Sequence, residues 1–250
     1  MRTAQRAALP TDQRRNILLR LLPAAELERL AEHLEPVRLP RGTDLDVPNE
    51  EINHVYFPTS GIASILAEGE KGESVDTTMV GREGMTGLAV FLGTGQMPIR
   101  TMVQLPLEGY RMKSDVLRAE LERGGVLVAL LHRYTQVVMV CMAQLILCNR
   151  AHRLDERAAR WLLQVDERVD EAPFEVTQEF LAEMIGTQRP SVSLAVRQFK
   201  DAGLITYSRG QIAISDREGL LKRSCACITV MHAEEERLRD TVERHATARP

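Results

Sequence analysis

The chain has 250 residues, of which 44% are hydrophobic and 27% charged, with a formal net charge of −3 at pH 7. That length suits two domains of ordinary size, and the apolar share excludes wholesale disorder. The slightly acidic balance argues against indiscriminate coating of nucleic acid, while a local positive patch stays open, because the field that matters is the one at the contact.

The N-terminal stretch MRTAQRAALPTDQRRN carries arginines but no following apolar core, so no signal peptide is expected. No apolar run approaches the roughly 20 residues that span a bilayer. A cytosolic protein with no membrane partner is expected, and its four cysteines as thiols. Residues Ala24 to Leu34 place Leu27, Leu30, Ala31 and Leu34 on one helical face. From about Glu35 to Met112, short apolar segments alternate with turn signals. VRL precedes Pro40-Arg41-Gly42, HVYF precedes Pro58 and Gly61, and IASIL precedes Gly69 and Gly72. VDTTMV precedes Gly81-Arg82-Glu83-Gly84, and RTMVQL follows Gly93 and Gly95. Short strands at this spacing predict an antiparallel barrel or jelly roll, on which the preceding helix packs.

A long helix is predicted from Val126 to Asn149. Leu127, Leu131, Tyr134, Val138, Cys141, Leu145 and Cys148 fall at alternating steps of four and three, the seam of a two-stranded coiled coil. Leu130, Val137, Val140 and Leu147 form a second apolar face suited to the chain's own barrel. Two apolar faces need two partners, so the seam is expected to meet its copy in a homodimer. Cys141 and Cys148 would then face their counterparts, where oxidation could lock the helices, or pack as small buried side chains. His152 to Val169 reads as a connecting helix around Ala158, Trp161 and Leu162, and Glu171-Ala172-Pro173 as a hinge.

Residues Val176 to Ile205 read as helix, glycine turn and second helix. Thr177 is a fitting N-cap, Leu181, Met184 and Ile185 form an apolar stripe, and Gly186 permits the positive φ of a sharp turn. Thr187 or Gln188 opens the second helix, with Pro190 tolerated in its first turn. Val192, Ala195, Val196 and Phe199 face inward, which leaves Arg189, Ser191, Ser193, Leu194, Arg197 and Lys200 outward. No acidic residue stands between Arg189 and Lys200. LITYSRGQIAIS then alternates around Ser208-Arg209-Gly210 as a hairpin. This is the layout of a winged helix-turn-helix, whose second helix enters the DNA major groove. The units expected are residues 1–125 (barrel with its N-terminal helix), 126–150 (dimerisation helix), 151–223 (DNA-binding domain) and 224–250 (a helical extension).

Barrel, long helix and winged helix-turn-helix in this order resemble the Crp/Fnr family of bacterial transcription regulators. The likeness runs from about Leu27 to Leu220 and is carried by GIASI, VGREGMTGLAVFLG, RTMVQ and VTQEFLAEMIGTQRPSV. The resemblance implies an α+β fold with a double-stranded β-helix sensor like a cyclic-nucleotide-binding domain. It also implies a homodimer on a partly palindromic site in double-stranded DNA, and recruitment or blocking of RNA polymerase. In cyclic-AMP-binding relatives a Gly-Glu pair accepts from the ribose hydroxyl. The matching pair here is Gly87-Leu88, and leucine accepts no hydrogen bond. Arg100-Thr101 stands where the cyclic phosphate is held, and Met142 and Ala143 lie where a hydroxyl would meet the adenine. Two of three polar contacts are lost, at about 1–3 kcal/mol each, so a signal other than cyclic AMP, or none, is expected.

The family placement puts Arg189, Pro190 and Leu194 at sequence-reading positions. Arg189 can hold a guanine edge in bidentate fashion, and Leu194 can meet a thymine methyl. Gln188 and Ser193 are further base-contact candidates, with Ser191, Arg197 and Arg209 on phosphates. Relatives with an iron–sulfur centre use N-terminal cysteines, and no cysteine precedes Cys141 here. If Asp216 to Glu243 is one helix, Cys225 and Cys227 diverge by about 200°, and His232 does not rescue a shared metal. Hence no cofactor or metal is expected. An enzyme reading names no nucleophile, acid–base pair or metal set. A third reading has the winged helix bind protein instead of DNA.

Overall fold

The computed structural model describes residues 13–70, 74–170 and 172–240. The start of the N-terminal stretch, Glu171 of the expected hinge and residues 241–250 of the tail lie outside them. A short 3-10 turn leads into α1 (Ile17–Arg20), which Asn16 caps through its side-chain oxygen. The buried Asn16 amide also donates to the carbonyls of Pro58 (2.9 Å) and Gly84 (2.8 Å), tying the start of the described chain to the sheet. Helix α2 (Ala24–Ala31) buries Leu27 and Leu30, as the spacing predicts.

The N-terminal domain is an antiparallel sheet of β1 (Glu35–Leu39), β2 (Asp44–Asp46), β3 (His54–Glu68), β4 (Ser74–Val80) and β5 (Arg100–Lys113). The strand order is β1-β5-β3-β4, with β2 also on β5. Helices α3 (Leu88–Phe91) and α4 (Ser114–Glu122) flank it. HVYF and IASIL are one strand instead of two: Pro58 and Gly61 cause register shifts, not a reversal. Gly61 has φ +84°, and a Cβ there would lie 2.0 Å from the Pro106 carbonyl oxygen. Only glycine fits, and the bulges bend β3 and β5 together.

The long helix α5 runs Val126–Ala151. Its first two amides donate to the Glu26 carboxylate of α2, each at 3.0 Å, so an anion sits at the positive helix end. By length and composition alone α5 is apolar enough to cross a membrane, contrary to the expectation that no stretch would be. The cause is its two apolar faces. One is intramolecular, and it is the line expected to meet a second copy. Leu127, Leu131, Tyr134, Val138, Cys141 and Cys148 are buried within the subunit, and Leu145 is half-buried. What covers much of this face is α10 (Cys227–Arg239), which packs along α5, with Arg133 bonded to Glu234 at 2.7 Å. The Tyr134 hydroxyl donates to Met85 O (3.1 Å), under Gly84. Exposed instead are His132, Gln136, Met139, Ala143, Ile146 and Arg150. These also step by four and three. Leu147, expected against the barrel, is exposed beside them. A heptad pattern reports that a face is covered, not by what.

Helix α6 (Leu154–Asp166) leads to β6 (Phe174–Glu175), α7 (Gln178–Met184), α8 (Arg189–Asp201), β7 (Ile205–Ser208), β8 (Gln211–Ile214) and α9 (Arg217–Arg223). The small sheet is ordered β6-β8-β7. Its core joins Trp161, Leu181, Val192, Phe199 and Ile212, and takes in Ile62 and Leu105 of the large sheet. The other large core includes Phe57, Leu130 and Tyr134 and is completed by Met231 and Leu238 of α10. The extension is not one helix: Ser224 is extended, and α9 and α10 are separate. Its second helix, α10, lies on α5.

Candidate nucleic-acid interface

Helix α7 starts as its sequence dictates, with Thr177 accepting from the Phe180 amide at 3.2 Å. Gly186 takes φ +63° and reverses the chain. Gln188 is the N-cap of α8, and Pro190 sits in its first turn, where a missing N–H costs nothing. Val192, Ala195, Val196 and Phe199 are buried, so the opposite face is fixed toward solvent. On it, Gln188, Arg189, Pro190, Ser191, Leu194 and Arg197 are exposed, and Leu194 keeps 59% of its surface. Arg197 lies 3.7 Å from Asp201, a solvent-exposed pair of little energetic weight that leaves the guanidinium available. Ser193 departs from the expected row. Its half-buried hydroxyl lies 2.6 Å from Gln178 Oε1 and 3.0 Å from the Arg189 carbonyl, pinning α8 to α7. Beyond α8, Arg209 (φ +51°) and Gly210 (φ +79°) form the two-residue turn between β7 and β8. Two positive φ values match the twist of a tight hairpin and put Arg209 at an exposed tip.

Residues 156–223 match the family described as the Crp-like helix-turn-helix domain. That domain, behind an antiparallel sheet and a long helix, gives the chain the architecture of a Crp/Fnr-type DNA-binding transcription regulator. Over 206 residues, 78% of this chain and 90% of the relative, it is 25% identical to the CRP-like cAMP-activated global transcriptional regulator of Mycobacterium tuberculosis. A 62-residue stretch is 40% identical to the HTH-type transcriptional regulator Cmr of the same species, covering 25% of each chain. Among solved structures, FixK2 from Bradyrhizobium japonicum shares the fold with a TM-score of 0.66 at 16% identity, covering 77% of this chain and 98% of that one. A putative Crp/Fnr regulator from Eubacterium rectale gives 0.60 at 20% identity, covering 83% and 97%.

In this Crp/Fnr-like fold the expected effector residues do not converge. Gly87 is the left-handed N-cap of α3 and packs on Val55, near the start of β3. Arg100 and Thr101 pair with Leu66 and Ile65 near the end of that strand. Arg100 bonds Asp44 (2.6 Å) and Glu68 (3.4 Å), so its charge already has two carboxylates, and Thr101 is buried. Leu88 and Met142 pack at the edge of the large core.

A polar centre lies elsewhere. Between β4 and α6, a cavity of ≈ 20 Å³ is lined by Asp76, Thr78, Arg160, Trp161, Gln164 and Met231 among others, room for about one water. Burial pushes the Asp76 carboxyl up to about 7, against the pull of Arg160. Burial likewise raises Asp46 to about 6, opposed by a hydrogen bond from Thr101. Both folded values exceed the ordinary one, so between about pH 4 and 7 the folded state binds more protons than the unfolded. The contribution of these groups to stability is therefore greatest at low pH, lost as pH rises through that window, and level above it. Asp76→Asn is expected to stabilise the protein at pH 8 by a few kcal/mol, with no gain at pH 4. Denaturant titrations across that range check it, and an unchanged slope against pH would sink the assignment.

Two arrangements escaped the sequence reading. Arg168, just past α6, donates to Glu83 of the turn after β4 (2.9 Å) and to Glu235 of α10 (2.8 Å), all three being largely buried. The second corrects the expectation about the cysteines. The break after α9 turns Cys225 and Cys227 to one side, where they meet Cys148 and His152. Cys148 therefore faces Cys225 of its own chain at 3.4 Å instead of a symmetry copy, and Cys141 is buried in the subunit core. The hint available in sequence was the i, i+4 spacing of Cys148 and His152 at a helix end.

Proposed function

We propose that this chain is a homodimeric, sequence-specific transcription regulator that reads DNA through α8 and responds to a signal other than cyclic AMP. One observation carries the reading: the face of α8 left outside by its own core offers Gln188, Arg189, Ser191, Leu194 and Arg197, with Arg209 of the wing beyond. Arginine and amide groups read base edges, leucine suits a thymine methyl, and the wing arginine reaches a phosphate. Relatives usually carry glutamate where Pro190 stands, so the half-site should differ from theirs.

Dimerisation is assigned to the exposed line of α5, where Met139 keeps 64% and Ile146 74% of their surface. Apolar side chains in a row at heptad spacing require a partner, and a two-fold axis there pairs the recognition helices over two half-sites. A partly palindromic site follows from that symmetry. Output runs through RNA polymerase in the cytoplasm, by recruitment or by occlusion. Against cyclic AMP stand Leu88, which accepts nothing from a ribose hydroxyl, and Arg100, whose charge is taken by Asp44 and Glu68.

Arg189→Ala is expected to weaken specific binding by about 1–3 kcal/mol and to relax one base position. A titration over a randomised site library reads both, and equal affinity with equal base preference would refute the role. Binding should also fall steeply with salt, as phosphate contacts require, and be indifferent to cyclic AMP.

A further inference from the structure

We propose that Cys148, His152, Cys225 and Cys227 form a site for a single tetrahedral Zn²⁺ ion that clamps the end of α5 to the α9–α10 junction. Their four candidate ligand atoms all lie within 4.8 Å of one another. The Cys148 and Cys225 sulfurs are 3.4 Å apart, and Cys227 Sγ is 3.5 Å from His152 Nδ1. A tetrahedral ion with bonds of about 2.3 Å to sulfur holds two sulfurs about 3.8 Å apart. The ligand atoms are thus already spaced as one coordination shell. A polynuclear iron–sulfur cluster assigns its sulfurs to different irons and spreads them farther, so the spacing favours one ion.

The local chain explains the convergence. Cys148 is on the last turn of α5 and His152, four residues on, is its C-cap, whose amide donates to the Cys148 carbonyl, so the two lie at one end of the helix. Ser224 is extended and Ala226 turns the chain into α10, which brings Cys225 and Cys227 to one side. All three cysteines are buried and form an apolar cluster of their own. Three thiolates and an imidazole form a soft, closed donor set of the structural zinc kind. On binding, the three thiols release their protons to the buffer and each sulfur donates an electron pair to the metal, with no redox change. Three thiolates outweigh the charge of the ion by one, and Arg157 and Arg160 lie within electrostatic reach of Cys148. The bound ion joins segments at the handover from α5 to α6, where the long helix meets the DNA-binding domain. It would therefore set the angle between them. This inference rests on the ligand geometry and not on the DNA-binding reading.

The test uses the full chain, reduced, stripped with a chelator and desalted. Titration with zinc chloride against a chromophoric chelator should give one equivalent per chain, with a dissociation constant below about 100 nM. Cobalt(II) in place of zinc should give intense tetrahedral d–d bands and a thiolate charge-transfer band. Cys225→Ser and Cys227→Ser should each weaken binding at least about 100-fold, as loss of a first ligand exceeds the 10–100-fold of outer partners. His152→Cys should retain it and Cys141→Ser leave it unchanged. Substoichiometric zinc, an octahedral cobalt spectrum, iron–sulfur absorption in the purified protein, or a Cys148–Cys225 disulfide persisting under reduction would each overturn the site. The wild-type cobalt spectrum decides the matter even where a variant folds poorly.

Discussion

Arg168→Met is expected to destabilise the full-length protein by about 3–5 kcal/mol, read as a shift of the denaturant midpoint. The guanidinium is buried between Glu83 at 2.9 Å and Glu235 at 2.8 Å, and a third donor reaches the Gln164 carbonyl at 3.0 Å. Glu83 is further engaged by the Gly81 amide at 3.0 Å. Methionine fills much of the volume but leaves carboxylates buried without their cation. Burial already raises the Glu235 carboxyl, with Arg168 opposing it, so without Arg168 that group should hold its proton to higher pH than it does now. Loss should accordingly be greatest at alkaline pH. A triple change that adds Glu83→Gln and Glu235→Gln should recover much of the stability, because neutral groups carry a smaller desolvation cost. If Arg168→Met alone were neutral, the cluster would not hold the three segments together.

The second large effect concerns assembly. Met139→Asp combined with Ile146→Asp should convert the protein to a folded monomer by analytical ultracentrifugation. Specific DNA affinity should fall by about 10²–10⁴-fold, the usual advantage of joining two half-site contacts in one molecule. Both side chains are mostly exposed in the subunit, so carboxylates there cost little until a second copy is brought against them. Leu131→Asp provides the contrast. Leu131 is fully buried in its own subunit, and a charge there should unfold the chain instead of separating two copies. A dimer that survives the double change would place the interface elsewhere.

The helix-turn-helix was legible because its determinants are local. Thr177, Gly186 and Pro190 act through bonds and torsions within a few residues, and Val192 to Phe199 fix the outward face by period alone. The long helix was legible in extent but not in which face meets what, since both of its lines step by four and three. Deciding between them required the position of α10, which begins some 80 residues later in the chain and has no local signature that points to α5. The cysteine cluster was hidden for a related reason. No glycine or proline marks the break at Ser224, so Cys225 and Cys227 read as residues of a continuous helix that would splay them. The Arg168 cluster joins groups 85 and 67 positions away, and no periodicity encodes such pairings. In the effector region the motif order was visible, but Arg100 was already held by Asp44 and Glu68, which flank it from two other strands.

The placement of α10 also bears on how the protein is made. Met231 and Leu238 complete the core that surrounds Leu130 and Tyr134, so the inner side of α5 lacks its cover until α10, some 80 residues later, has left the ribosome. The N-terminal half cannot finish folding during its own synthesis, and its unfinished surface is apolar. Such intermediates are prone to association, so the chain should depend on holding chaperones, and deletion of α10 should yield insoluble material rather than a shortened, folded N-terminal domain.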